Sequence, residues 1–168
     1  MPDVLPNFSP WLAIAFAGGA LLGRNPVVWV WPSLLVLSDL VWARSDIREV
    51  WSIYVVFAVV AFFGIQLRGK LSAFGVVGGT VLSAIAFYVI SSSQAWLFSS
   101  VYDKSLAGWF QAITVGDPAF QPQAWVFAMR SVASEGLFAL LLVIAYNGEA
   151  YWRHLKCLPL GKRSLATA

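Results

Sequence analysis

The chain has 168 residues, 60% of them hydrophobic and only 11% charged, with nine tryptophans and a mean hydropathy of +0.75. Its pI near 9.2 comes from Lys and Arg placed between apolar blocks and in the C-terminal tail. No basic stripe is interleaved with aromatics, which excludes nucleic-acid binding, and the lone Cys157 and His154 exclude an internal disulfide or a Cys-rich metal centre.

Between Val50 and Leu67, and again between Leu71 and Val101, there is no Asp, Glu, Lys or Arg. A helix crossing roughly 30 Å of hydrocarbon needs about 20 such residues. The expectation is an all-α, polytopic transmembrane bundle, a single domain over residues 1–168 whose solvent is lipid. The first segment, 9–23, opens on Ser9-Pro10, an N-cap residue followed by proline at the first helical position. The stretch before it has no basic region of the kind a signal peptide carries, so a retained helix is expected. Within the segment, Ala13 and Ala17, and Ala15 and Gly19, are spaced for close helix approach, either inside this bundle or against a partner.

The second segment, 26–42, starts at Asn25-Pro26, contains a kinking Pro32, and carries Asp39 near its end. The third, 47–67, opens on Asp46 and Glu49, spaced as a capping box. The fourth, 72–98, holds Gly75 and Gly79 at dimerisation spacing. It is too long for one straight span, and Ser91-Ser92-Ser93-Gln94 is the expected place for a bend. The fifth, 104–116, capped by Asp103, is too short to cross unaided. The sixth, 122–146, leads into a basic tail, 147–168.

Charge does not decide how many segments cross. Six spans place Arg44, Arg48, Lys104, Arg153, Lys156, Lys162 and Arg163 inside; five spans place Arg24, Arg68, Lys70 and the same four tail residues inside. Either way seven cations face three, so the C-terminus is cytoplasmic in both arrangements.

The sixth segment contains Arg130 and Glu135, with Glu135 near its midpoint. A charge at that depth faces the bundle interior, finds a partner or is neutralised. Five residues apart, the two project roughly 140° from one another, so they are poor partners for each other. Arginine cannot shed its charge, so Arg130 is expected to reach Asp39 or Asp117, whereas Glu135→Gln is expected to be tolerated structurally. A buried ion pair fixing helix register is one reading; a midplane substrate site is the other.

A second cluster joins Ser91, Ser92, Ser93, Gln94 and Trp96 to Tyr102, Trp109 and Gln111. Polar groups beside rigid aromatic faces suit a small-molecule pocket. For Trp29, Trp31, Trp42, Trp51 and Trp152 the membrane-interface belt is the preferred reading. The candidate substrate-contacting residues are Asp39, Ser93, Gln94, Trp96, Trp109, Asp117, Arg130 and Glu135. No Ser/His/Asp set, zinc-protease motif or phosphate-binding glycine loop occurs. No catalytic residue, metal or cofactor is therefore expected, and the chain is read as a non-enzyme.

Asn7-Phe8-Ser9-Pro10, Ala13, Gly18-Gly19-Ala20, Pro32, Leu37-Ser38-Asp39-Leu40, Tyr54, Gly64, Trp96, and Tyr102 with Leu106-Ala107-Gly108 follow one another along most of the chain. This order resembles a bacterial family of small integral membrane proteins of unassigned function. Its relatives are in turn similar to the substrate-capture (S) components of energy-coupling-factor vitamin transporters. The resemblance implies six helices, the fifth short, in the bacterial inner membrane with both termini cytoplasmic. It also implies capture of a small vitamin-like nutrient, with coupling subunit and ATPases as separate partners. Ala13 and Ala17 resemble the small-residue face that meets the coupling subunit, and Gly75 and Gly79 are a second candidate contact. Ser92-Ser93 and Asp117-Pro118-Ala119-Phe120 depart from the pattern, which implies altered specificity or lost activity if they bind substrate. The alternative is an accessory subunit buried in a larger electron-transfer or photosynthetic membrane complex.

Overall fold

The computed structural model describes residues 9–25, 30, 33–34, 36–37, 47–119 and 123–161. Five helices are laid out among them: α1 (Trp11–Leu22), α2 (Ile47–Gln66), α3 (Ala73–Phe98), α4 (Leu106–Thr114) and α5 (Ala124–Trp152). The second expected segment, with Pro32 and Asp39, lies largely outside the described residues, as does Asp46.

Composition puts α1 at the centre. Six of its 12 residues are Ala or Gly, and eight of the 12 are buried. Small side chains let three helices close around it. Ala13, Ala17, Ala20 and Leu21 meet Ala73 and Val76 of α3 and Ala139 and Val143 of α5. The opposite side, Leu12, Ala15 and Phe16, meets Phe57, Val60 and Ala61 of α2 and Ala84 of α3. Where α1 crosses α2 the backbones nearly touch: a Cβ at Gly19 would lie 2.8 Å from the Ala61 carbonyl oxygen, and one at Gly64 would collide with that of Phe16. Gly79 of α3 likewise makes room for the Phe16 ring. Ala13 and Ala17, both at 0% exposure, and Gly79, against the Phe16 ring, serve this bundle's own packing, and Gly75 lies against Leu71 and Ser72 of its own turn.

The contacts fix directions. The C-terminal end of α1 lies beside Arg68, at the end of α2, while the N–H groups of Ala73 and Phe74 that open α3 donate to Pro159 and Leu160, beyond the end of α5. So α1, α2 and α5 run towards one end, here the basal end, and α3 runs away from it towards the distal end. The nine residues of α4 cover roughly 14 Å, too little for a crossing.

Two expectations about helix shape change. There is no break at Ser91–Gln94: α3 is a continuous 26-residue helix. Ser91 and Ser93 donate back to the carbonyls of Tyr88 (3.0 Å) and Val89 (2.7 Å), so their hydroxyls are satisfied without unwinding. The last helix does not stop at Tyr146 but continues to Trp152, supported by the Glu149–Arg153 pair at 2.9 Å. It closes in a Schellman arrangement, with Leu155 N–H donating to Ala150 O (2.7 Å) and His154 N–H to Tyr151 O (3.1 Å). His154 occupies the left-handed position, φ +56. The chain then folds back as a strap across the basal end, held where the Asn147 amide pairs with both the N–H and the C=O of Leu158.

Two of these helices, α3 and α5, are long and apolar enough to cross a membrane. Their best windows have mean hydropathies of 2.0 and 1.7, and only 22% of each window is buried. The rest turns Phe74, Leu82, Leu140 and Ile144 outward as exposed apolar surface, which is what a lipid-facing helix does.

Candidate functional site

A serine pair one turn before Ala95 on α3 begins the site. Ser91, Ser92 and Ala95 share one helical face, and they line a cavity of about 290 Å³ near the distal end. Opposite them stand Ala112 of α4, the turn at Val115, Gly116 and Asp117, and Ala124 and Phe127 in the first turn of α5. Tyr102, from the connection between α3 and α4, also lines the cavity and is 8% exposed.

The short α4 is fastened to α3 by polar bonds along its length. Trp109 Nε1 donates to Ser93 Oγ (2.8 Å), and the Tyr88 hydroxyl donates to the Ile113 carbonyl. Above them, Trp96 Nε1 donates to Asp103 O (2.8 Å), while Lys104 Nζ donates to the Trp96 and Ser99 carbonyls. Ser105, not Asp103, caps the helix by accepting from Gly108 N–H (3.2 Å). Gly116 ends it: at φ +78 it takes the left-handed position and returns its N–H to Gln111 O. That turn lets Ala124 N–H donate to Val115 O (3.0 Å), which seats the start of α5 against the cavity.

Asp117 is the one ionisable carboxylate on the lining. Its Oδ1 accepts from Ala119 N–H at 2.8 Å, which fixes the carboxylate without neutralising it. Burial, and then the nearby Asp117 carboxylate, push the Tyr102 phenol above its ordinary value of 10.0. Tyr102 therefore stays a neutral donor and acceptor beside a fixed negative charge. The cavity can hold a small molecule by charge, hydroxyl hydrogen bonds and the face of Phe127. It has no nucleophile–base pair, and no group of three or more metal-ligating side chains occurs among the described residues.

The other expected site residues are distributed differently. Ser93 and Trp109 pair with each other and Trp96 braces the loop, so all three support the α4 wall. Gln94 points the other way and accepts from the Ser52 hydroxyl of α2. Arg130 is half-buried and forms no ion pair with Asp117; its other candidate, Asp39, lies outside the described residues. Glu135 is 1% exposed and lies roughly 16 Å further along α5 than Ala124. It accepts from the backbone N–H of Leu12 (3.1 Å) and of Ala13 (2.6 Å). Pro10, the N-cap of α1, offers no side-chain cap, so a glutamate from another helix satisfies two orphan donors and meets the positive end of the helix dipole. Ser134 adds its hydroxyl to Ser9 O at 3.3 Å. This side chain is a structural cap.

Phe127 was not anticipated; a helix end at Gly116 was expected, but not that the Val115–Gly116 turn would line a cavity. Phe127 stands one turn beyond Ala124 on a common face, a spacing visible in the sequence once the helix start is known. A larger groove of about 650 Å³ runs between α2 and α3, lined by residues such as Trp51, Val55, Phe63 and Leu82. Its hydroxyls are already spent, Ser52 on Gln94 and Ser83 on Gly79 O (2.8 Å), so it offers area without orientation.

A model for a family of unknown function (DUF6580) matches residues 1–154. The chain belongs to that family. No curated protein and no solved structure matches it.

Proposed function

We propose that this DUF6580 protein is a membrane-embedded capture module that holds a small, positively charged, hydrogen-bonding nutrient in the distal cavity. The observation that carries this reading is Asp117: a lone carboxylate, held by its own turn and left unpaired by any described cation, on a lining otherwise made of hydroxyls and apolar groups. A volume near 290 Å³ suits a small ligand, at the lower limit of roughly 300–1,000 Å³ for typical pockets.

Direction follows from charge. Arg24, Arg68, Lys70, Arg153 and Lys156 gather at the basal end, which makes that end cytoplasmic and opens the cavity to the outside. With α4 too short to cross and α1 parallel to α5, the reading we favour is the five-span one with an external N-terminus, over the six spans expected from the resemblance. No nucleotide-binding motif is present, so energy for uptake comes from separate coupling and ATPase subunits, as in the S components that the sequence resembles.

The test is binding of small cationic vitamins and amines to the purified protein in mild detergent, for the wild type and for Asp117→Asn. Asparagine retains the acceptor for Ala119 N–H and removes the charge, so the fold should hold while affinity falls at least about tenfold. Extraction with ATPase and coupling subunits supports the reading. Extraction in a stoichiometric redox or pigment complex, with no saturable ligand, would replace it with the accessory-subunit role.

A further inference from the structure

The strap that closes the basal end does not lie flat. It roofs a cavity of about 490 Å³ into which the loop before α3 contributes Lys70 and the strap contributes Lys156. Tyr146 and Ser72 add polar groups, and Leu71 and Leu158 form an apolar wall. No carboxylate lines the space, and neither lysine has an ion-pair partner among the described residues. The one described carboxylate in the last turns of α5, Glu149, is engaged by Arg153 at 2.9 Å.

The cavity is built, not a chance gap. Pro159 and Leu160 carbonyls accept from Ala73 and Phe74 N–H at 2.7 and 3.2 Å, and Asn147 holds Leu158 from both sides. These bonds fix the strap, and with it the backbone that carries Lys156, above Lys70. Beside it, where Phe74 N–H meets the strap at Leu160 O, Phe74 and Leu160 are 73% and 71% exposed, and Tyr151 and Trp152 line a neighbouring surface pocket that shares Cys157 with it. Two solvent-exposed lysines on the lining with no described ion-pair partner, and exposed apolar side chains beside it, match a molecule with a phosphate at one end and hydrocarbon at the other.

We infer that this basal cavity binds the headgroup of an anionic phospholipid, its acyl chains lying along Phe74 and the outer face of α3. The inference rests on the membrane reading and on nothing about the distal cavity. Free inorganic phosphate shares the headgroup chemistry, but it makes no use of the apolar side chains beside the cavity.

The experiment is native mass spectrometry of the full chain released from micelles containing equal phosphatidylglycerol and phosphatidylcholine. It compares the wild type, Lys70→Gln/Lys156→Gln, each single variant, and Arg24→Gln, an exposed cation outside the cavity lining, as a matched loss of charge. Phosphatidylglycerol should be retained selectively, with a loss of roughly fivefold per lysine and roughly 25-fold in the double variant. Arg24→Gln should retain it as the wild type does. Equal retention of the two lipids, undiminished retention in the double variant, or displacement by inorganic phosphate would each overturn the assignment. If the double variant melts early, the single variants carry the comparison. Membranes washed with alkaline carbonate separate the two levels: release of the protein would sink the membrane reading, whereas firm retention without lipid preference would sink only the headgroup site.

Discussion

Glu135 shows how far a single buried charge can be read from sequence. Its burial was legible, because a carboxylate amid an apolar span must turn inward. Its partner was not: both oxygens are used by main-chain N–H groups more than 120 residues away in the sequence, and backbone donors leave no mark in a residue string. This changes the expectation for its amide. In Glu135→Gln, an NH₂ must face one of those two N–H donors, leaving a buried donor unsatisfied. Glu135→Gln should therefore lower stability by about 1–3 kcal/mol, the cost of a buried donor left without a partner. Thermal melting in detergent checks this; a wild-type midpoint would refute the capping role. His154 gives the opposite sign. Its left-handed backbone costs a side-chain-bearing residue about 1–2 kcal/mol, so His154→Gly should raise the melting midpoint. A fall would mean that the imidazole makes a compensating contact.

Among the elements, the long helices were the easiest to anticipate, since a run without charges announces itself. The interruption expected at Ser91–Gln94 was absent because serine can bond to the preceding turn, a local option that composition does not exclude. The same stretch shows why the site was only half legible. Ser91 and Ser92 line the cavity, while Ser93 and Gln94, one and two residues on, point to α4 and α2. Sequence proximity named the cluster; the 100° step between successive residues divided it. For α1, four-residue spacing correctly signals close approach but cannot say to which helix. With Ala13 and Ala17 at 0% exposure inside the bundle, Leu at either position should destabilise the isolated protein by about 1–3 kcal/mol through overpacking. Melting of the purified variants measures it. Unchanged stability together with loss of a bound partner would restore the partner-contact reading.

At the scale of the whole molecule, the described basal and distal ends differ in charge and in the cavities they hold. Among the described residues, Arg24, Arg68, Lys70, Arg153 and Lys156 stand at the basal end and Lys104 with the Asp117 cavity at the distal end, a polarity that composition alone left open, because both span counts set seven cations against three. The nine residues of α4, packed beside α3, are too few to cross a membrane by themselves. Capture from outside requires that this distal cavity open away from the cytoplasm. The direct measurement is labelling of intact cells with a membrane-impermeant thiol reagent, using the native Cys157 at the basal end and Ala119→Cys, in a Cys157→Ser background, beside the distal cavity; both positions are exposed. Ala119→Cys should be labelled in intact cells, and Cys157 only after lysis. Labelling of Cys157 in intact cells, with Ala119→Cys protected until lysis, would contradict the outward-facing cavity and the capture function built on it.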